Sequence, residues 1–529
     1  MFEHLRRLAT TGAAYTASSV LSKLIAVFLL PVYTAYLTPD DYGAAEVMIA
    51  SLVAASIVVR FGVIEALLRF YYVAGERPAE VVRTGFASLF WTTTAAALVA
   101  LPFAGQISEL LLERSEPGLV RLAIVGLWQL TLWEYALTLL RLDERARAYF
   151  TFTIAAVLVT IPITVALVVS TDLGASAILL GNFGTGVAFL IGRLWVERER
   201  LGFRVDRPLL RRMVRFGLPT MPAELTLYSL NFIDRVLIVR LIGGSEGLAA
   251  AGLYAIAVKF ANGMQVLVRG FHLAWPPLAY SIQDDDEARR TYALIVTWFV
   301  AICSFAVVGL WLLAPWLVRL LTDSSYFGAN EVVGPLAAGT ALYALYLVLV
   351  IILGRTGRTE FSFPATLAAV VTNIGLNLWL IPEHGIIGAG VALMVSYAVV
   401  VAIMHAITRR LFPVPYEWGR LALAVGVAAA LIAAGDTLVG DDGAGALVLT
   451  LGLCALYPLL LLGAGFLTRE ERERLAPLVS PSALLARIGS AEAERPAEEA
   501  AAGEGRGGPR LTRDTIEQAQ RDSDREGTA

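Results

Sequence analysis

Fourteen apolar runs divide the first 467 positions of this 529-residue chain, each close to the roughly 20 residues that a helix needs to cross a hydrocarbon core. They lie near 12–36, 43–68, 84–104, 119–140, 148–171, 174–195, 214–242, 249–275, 291–314, 328–353, 362–382, 385–408, 418–438 and 444–467. Inside a bilayer the backbone polar groups find no water, so such runs fold as helices. Only 16% of residues are charged, against roughly 25% in soluble domains. This excludes a soluble enzyme. The first run outlasts a signal core of about 7 to 15 residues and lacks a cleavage site, so it reads as a retained span.

The connections alternate in charge. Those on the side of the N-terminus hold 23 Lys and Arg, and those on the other side hold only Arg114, Arg121 and Arg319. Cytoplasmic loops collect basic residues, so both termini are expected in the cytoplasm of a multi-pass inner or plasma membrane protein. An arginine-rich connection at 198–213, with an amphipathic run Leu209-Leu210-Arg211-Arg212-Met213, suits an interfacial helix between two halves. The expected organisation is 1–197 for spans one to six, 198–213 as cytoplasmic linker, 214–410 for spans seven to twelve, 411–467 for two further spans, and 468–529 as a disordered tail of 10 Arg and 13 acids. Trp275, Trp311, Trp316 and Trp418 near span ends read as an interfacial belt.

Cofactor chemistry has no foothold. Cys303 and Cys454 sit in separate apolar runs, and the histidines at 4, 272, 384 and 405 lack ligand spacing. Lysine occurs only at 23 and 259, so no phosphate loop ending in Gly-Lys-Ser/Thr can be written. The 467 residues before the tail carry 32 basic and 32 acidic side chains, and neither a cofactor nor a nucleic-acid partner is expected.

The halves share landmarks. Gly43 opens the second span and Arg60 follows it by 17 residues; Gly252 lies near the start of the eighth and Arg269 follows by the same 17. Gly174-Ala175-Ser176-Ala177 opens the sixth span and Gly388-Ala389-Gly390-Val391 the twelfth, at separations of 131 and 136 residues from those first glycines. A duplicated six-helix unit accounts for both. An even helix number keeps the copies in one orientation, which predicts an all-α fold of two six-helix lobes about a pseudo-two-fold along the membrane normal, plus two C-terminal helices.

Ionisable residues inside spans are costly and face the bundle interior. On the eighth span Lys259, Asn262, Gln265, Arg269 and His272 fall within an arc of about 140° at 100° per residue. On the seventh, Glu224, Tyr228, Asn231 and Arg235 share a face with Asp234 beside them, and on the first Thr16, Ser19 and Lys23 do so. Lys23, Arg60, Arg235, Lys259 and Arg269 outnumber Asp234 and Glu224, so the expected cavity is net positive and suits an anionic cargo. Arg60 and Arg269 also lie where snorkelling to headgroups would satisfy them. Asp234 and Arg235 read equally as a structural ion pair. Glu46 and Glu65 look weaker as site residues, and Glu134 lacks a visible partner.

Ser22-Lys23-Leu24, Leu30-Pro31-Val32-Tyr33-Thr34, Tyr36-Leu37-Thr38-Pro39-Asp40-Asp41-Tyr42-Gly43 and Glu65-Ala66-Leu67-Leu68-Arg69-Phe70-Tyr71 resemble the opening of bacterial oligosaccharide-lipid flippases of the polysaccharide transport family. Gly217-Leu218-Pro219, Asn231-Phe232-Ile233-Asp234-Arg235, Ala274-Trp275-Pro276-Pro277, Asn377-Leu378-Trp379-Leu380-Ile381-Pro382 and Gly385-Ile386-Ile387-Gly388-Ala389 resemble later parts of it. The likeness runs from about 10 to 420. It implies the multidrug/oligosaccharidyl-lipid/polysaccharide exporter fold, alternating access, and cavity-facing basic residues at Lys23, Arg60 and Arg269. It further implies a groove for a polyprenyl tail in the last two helices. Lys259, His272, Asn262 and Gln265 rest on helical spacing alone.

The expected function is therefore flipping of a polyprenyl-pyrophosphate oligosaccharide to the outer leaflet, without covalent chemistry. A proton gradient, a sodium gradient and the membrane potential are the alternatives for the driving force, and a polysaccharide polymerase and glycosyltransferases are the expected partners alongside membrane lipids. The alternatives are a lipid-linked peptidoglycan precursor flippase, or a multidrug cation antiporter, which should favour acidic cavities. A polymerase or ligase would need larger external loops.

Overall fold

A computed structural model describes residues 27–73, 77–440, 443–469, 471 and 472. The described residues up to Leu460 belong to one compact unit and those from Leu461 on to a second. Lys23, the other polar residues before position 27, and nearly all of the tail lie outside the described residues.

Among the described residues every regular element is a helix. In order these are α1 (Leu30–Tyr36), α2 (Pro39–Arg60), α3 (Val63–Phe70), α4 (Pro78–Ala100), α5 (Ala104–Leu112), α6 (Pro117–Leu142), α7 (Ala146–Ser170) and α8 (Ala175–Val196). There follow α9 (Arg207–Gly217), α10 (Met221–Ile242), α11 (Gly244–Ala261), α12 (Met264–Ser281), α13 (Asp285–Leu321), α14 (Asn330–Arg355), α15 (Ser362–Leu411), α16 (Trp418–Leu438) and α17 (Ala444–Gly463). Among the described residues ten helical stretches are long and apolar enough to cross a membrane, or eleven if α11 and α12, bent by 47° at their junction, are one span. The protein is a multi-pass membrane protein. α10 fails that test because Glu224, Asp234, Arg235 and Arg240 interrupt it.

Local chemistry sets the boundaries. Thr38 Oγ1 accepts the Asp41 N–H at 3.4 Å to cap α2, with Pro39 in the first turn. Asp206 and Asp284 cap α9 and α13 in the same way, at 3.0 and 2.7 Å. α15 is 50 residues long but bends at Gly385, whose φ of 54° and ψ of −133° lie in a region closed to side-chain-bearing residues. Gly174, before α8, has φ 52° and ψ −128°. The glycines sharing this conformation are thus Gly174 and Gly385, not Gly174 and Gly388, and they stand 131 and 133 residues beyond Gly43 and Gly252. Gly388 instead packs its Cα against the Leu380 carbonyl.

Two ends of the bundle differ in their polar chemistry. At one end Glu113 accepts from Arg240 at 3.3 Å and from the Gly244 N–H at 3.1 Å, Arg114 reaches Asp40 at 3.0 Å, and the Tyr326 hydroxyl donates to the Leu37 carbonyl at 2.9 Å. At the arginine-rich end Arg200 holds Asp143 through both nitrogens, at 2.6 and 3.0 Å. There α9 buries Leu209, Met213 and Gly217 and exposes Arg207, Arg211, Arg212 and Arg215, the amphipathic split expected of the connecting segment. Glu134, without a visible partner in the sequence, pairs with Arg141. Trp275 is a core residue and not part of an interfacial belt: it is buried, edge-on to Tyr292 with ring centroids 5.0 Å apart, while Trp418 is exposed. Lys259 and Gln265 do not share one straight helix, because Asn262 ends α11 and α12 leaves at an angle.

Candidate functional site

Helix α2 is the spine of the site. Its Gly43 meets α11 so closely that a Cβ there would fall 1.9 Å from the Leu248 carbonyl oxygen, and a Cβ on Gly252 would fall 2.1 Å from that of Pro39. Only glycine permits this approach. Glu46 lies one turn beyond Gly43, on the face that meets α11, and Lys259 lies seven residues beyond Gly252 on the matching face. Helical side chains lean toward their N-terminus, so Lys259 reaches back along α11. Its Nζ stands 2.6 Å from Glu46 Oε1 and 5.2 Å from the centre of the Tyr42 ring.

The second oxygen of Glu46 faces Arg235 of α10, with Oε2 3.9 Å from Nη2. All three side chains are at least three-quarters buried, at 14% exposure for Glu46, 23% for Lys259 and 13% for Arg235. The buried Nε of Arg235 makes no hydrogen bond. One carboxylate thus serves two cations. Glu46 and Lys259 line a cavity of about 540 Å³ with Tyr33, Tyr42, Gln129, Trp133, Thr153 and Asn182, which supply hydroxyl, amide and indole groups.

Arg60 belongs to a different level. Its Nη2 donates to Glu224 Oε1 at 2.7 Å and its Nε to the Ser56 carbonyl at 3.3 Å. Fourteen residues of α2 separate it from Glu46, or about 21 Å at 1.5 Å per residue. A diphosphate cannot span that gap, so the single cationic set read from the sequence divides in two. Arg269 sits near Tyr149 of α7 and Tyr343 of α14. Neither it nor Asn262 nor Gln265 lines the Lys259 cavity among the described residues. All three are half-buried.

Asp234 turns away from Arg235's partner. Fully buried, it accepts from the Tyr254 hydroxyl and from Asn377 Nδ2, both at 2.7 Å, within α10, α11 and α15. Buried carboxylates need such donors. The neighbouring Asn373, also fully buried, leaves both amide atoms unpartnered, as does Asn377 its Oδ1. Among the described residues no group of three or more His, Cys, Asp or Glu is placed to hold a metal.

Glu46, weaker as a site residue in the sequence, is the one that both cations share. Its three-residue spacing from Gly43 was the available signal, since the glycine marks the face on which α11 sits.

The family described as polysaccharide biosynthesis protein matches residues 34–331, which takes in α2, Glu46, Arg60, Asp234, Arg235, Lys259 and Arg269. The chain belongs to that family. No curated protein sequence matches it. Members of this family can be compared by fold with solved structures, and the chain is similar to the lipid II flippase MurJ in an inward closed conformation, with a TM-score of 0.66 at 13% identity over 86% of this chain and 98% of that one. It is also similar to an inward-facing multidrug resistance MATE family transporter of the MOP superfamily, at 0.59 and 14% over 74% and 94%. A third, at 0.52 and 13% over 82% and 96%, is a MOP superfamily transporter from Pyrococcus furiosus described by a reversed polarity of its binding pocket. These likenesses establish the fold that the family member shares with them.

Proposed function

We propose that this member of the polysaccharide biosynthesis family flips a polyprenyl-pyrophosphate oligosaccharide from the cytoplasmic to the outer leaflet by alternating access. The observation that carries the reading is the Lys259–Glu46–Arg235 cluster: two cations and one carboxylate, mostly buried, beside a cavity rich in neutral donors. Such a cluster keeps net positive charge where water is scarce, and a phosphate-bearing headgroup is its complement. Gln129, Asn182 and the tyrosines suit sugar hydroxyls. Arg60, about 21 Å away along α2, serves as an earlier contact on the cytoplasmic side, and Lys23 and Arg269 are proposed as further cationic contacts for the cargo. Asp234 is assigned away from the cargo, to the uptake of a coupling proton or sodium ion. No covalent step is involved.

The fold that goes with this function has fourteen spans. Dividing α15 at Gly385, counting α10, joining α11 to α12 and adding the run before residue 27 give that number. The matched glycines at 174 and 385 support two six-helix lobes, residues 1–197 and 214–410, joined by α9 and followed by α16 and α17. The basic connections support cytoplasmic placement of both ends of the chain.

The test is flipping in vesicles. Purified protein reconstituted with a fluorescent polyprenyl-pyrophosphate oligosaccharide should expose the label to a membrane-impermeant quencher, and Lys259→Gln and Arg60→Ala should each slow exposure at least about tenfold. Unchanged flipping by both folded variants would reject the cationic site. Transport of organic cations, with no lipid flipping, would instead favour a multidrug antiporter.

A further inference from the structure

We propose that Glu46 is a built-in competitor for the cargo: in the empty protein it occupies the place of the anionic group, and binding of the diphosphate displaces it from Lys259 and Arg235. The inference rests on the cationic-site reading above. The contact between Glu46 and Lys259 is 2.6 Å, the short range of charge-assisted bonds, whereas that to Arg235 is 3.9 Å and leaves the guanidinium under-satisfied. As placed here, Glu46 brings only one of its oxygens to hydrogen-bond distance of a cation. A diphosphate has more oxygens and more charge, and so can satisfy both.

The placement also explains why a carboxylate stands in a site meant for an anion. Two cations left alone at this depth would repel one another and lose their hydration. Glu46 offsets their charge and holds them oriented while the cavity is empty, and the Tyr42 ring face stands beside the lysine. The charge that stabilises the empty site then sets a threshold for the cargo. A lipid monophosphate carries about 1.5 to 2 negative charges near pH 7 on a single phosphorus and offers fewer oxygens to the two cations than a diphosphate does, so the same residue favours diphosphate over monophosphate lipids.

The experiment measures binding of polyprenyl pyrophosphate and polyprenyl monophosphate to the full-length protein in nanodiscs of zwitterionic phospholipid. Glu46→Gln should bind both lipids more tightly, by about tenfold for the removal of one charged competitor, and should narrow the preference for pyrophosphate. Glu46→Asp, which keeps the charge but shortens the reach to Lys259, should show a smaller gain and serves if the glutamine variant does not fold. Lys259→Gln should weaken binding, and adding Glu46→Gln to it should recover less than the single variant gains. If wild type binds pyrophosphate lipid and neither Glu46 variant binds it more tightly, the competitor idea fails while the cationic site stands. If neither wild type nor the Glu46 variants bind it, the cationic-site reading fails and takes the inference with it.

Discussion

Gly43 and Gly252 face each other across the crossing of α2 and α11, with no room for a methyl group between the Gly43 Cα and the Gly252 backbone. A Cβ on Gly43 would sit 1.9 Å from one backbone oxygen and 2.8 Å from the Gly252 nitrogen. Backbone cannot rotate aside as a side chain does. Gly43→Ala is expected to force the helices apart and cost about 1–3 kcal/mol, as overpacking does. A lowered thermal midpoint in detergent checks this. Gly105→Ala is the control: it has open space on that side and should leave the midpoint unchanged or raise it.

Arg60 and Glu224 join α2 to α10 at 2.7 Å, with Arg60 mostly buried and Glu224 40% exposed. That exposure limits the pair. A double-mutant cycle of Arg60→Ala and Glu224→Gln should return a coupling of about 1 kcal/mol in unfolding free energy. A coupling indistinguishable from zero would mean that the two do not meet in the folded protein.

The buried Asp234 depends on both its donors. Tyr254→Phe and Asn377→Leu each remove one hydrogen bond from a carboxylate with no access to water, and each should cost about 1–3 kcal/mol. Their effects should not add, because both act on one group. Urea titration of the single and double variants measures this, and strict additivity would count against a shared acceptor.

Acid should loosen the arginine-rich end. Burial alone raises the Asp143 carboxyl, but the two hydrogen bonds and the charge of Arg200 outweigh it, with Arg145 and Arg193 helping, and hold the carboxyl below its usual range. A depressed folded value means that the stabilisation is complete above the unfolded value of about 3.9 and is lost as pH falls through the depressed one. The thermal midpoint of the wild type should therefore fall more steeply below about pH 4 than that of Asp143→Asn. Parallel curves would refute the assignment.

The helical architecture was legible because a span declares itself through some twenty neighbouring residues, whatever the rest of the chain does. Even the bend in α15 was marked, by Pro382 and Gly385 between two apolar runs. Pairings were not. Lys259 and Glu46 are 213 positions apart and Asn377 and Asp234 are 143 apart, and nothing local announces either contact. A helical wheel gathers polar residues by angle, and so it joined Lys259 to Gln265 across a break at Asn262 that no proline marks. It also grouped Asp234 with Arg235 by adjacency, although consecutive residues on a helix diverge by 100°.

Gly62 and Gly217 make a second reciprocal contact, in which a Cβ on either would fall about 2 Å from the other's carbonyl oxygen, at 2.0 and 1.9 Å. With Gly43 and Gly252 this clamps α2 near its start and at the turn just past its end at Arg60, which lies 17 residues beyond Gly43, or about 26 Å along the helix. A stiff rod held at two points keeps one freedom, rotation about its own length. Swinging it away from α11 must unseat the first clamp, and swinging it away from α9 must unseat the second, with the clamp that stays serving as fulcrum. Because neither clamp has side chains to unthread, the resistance to that swing resides in the polar pairs that α2 itself makes, Asp40 with Arg114 and Glu46 with Lys259 towards one end and Arg60 with Glu224 at the other.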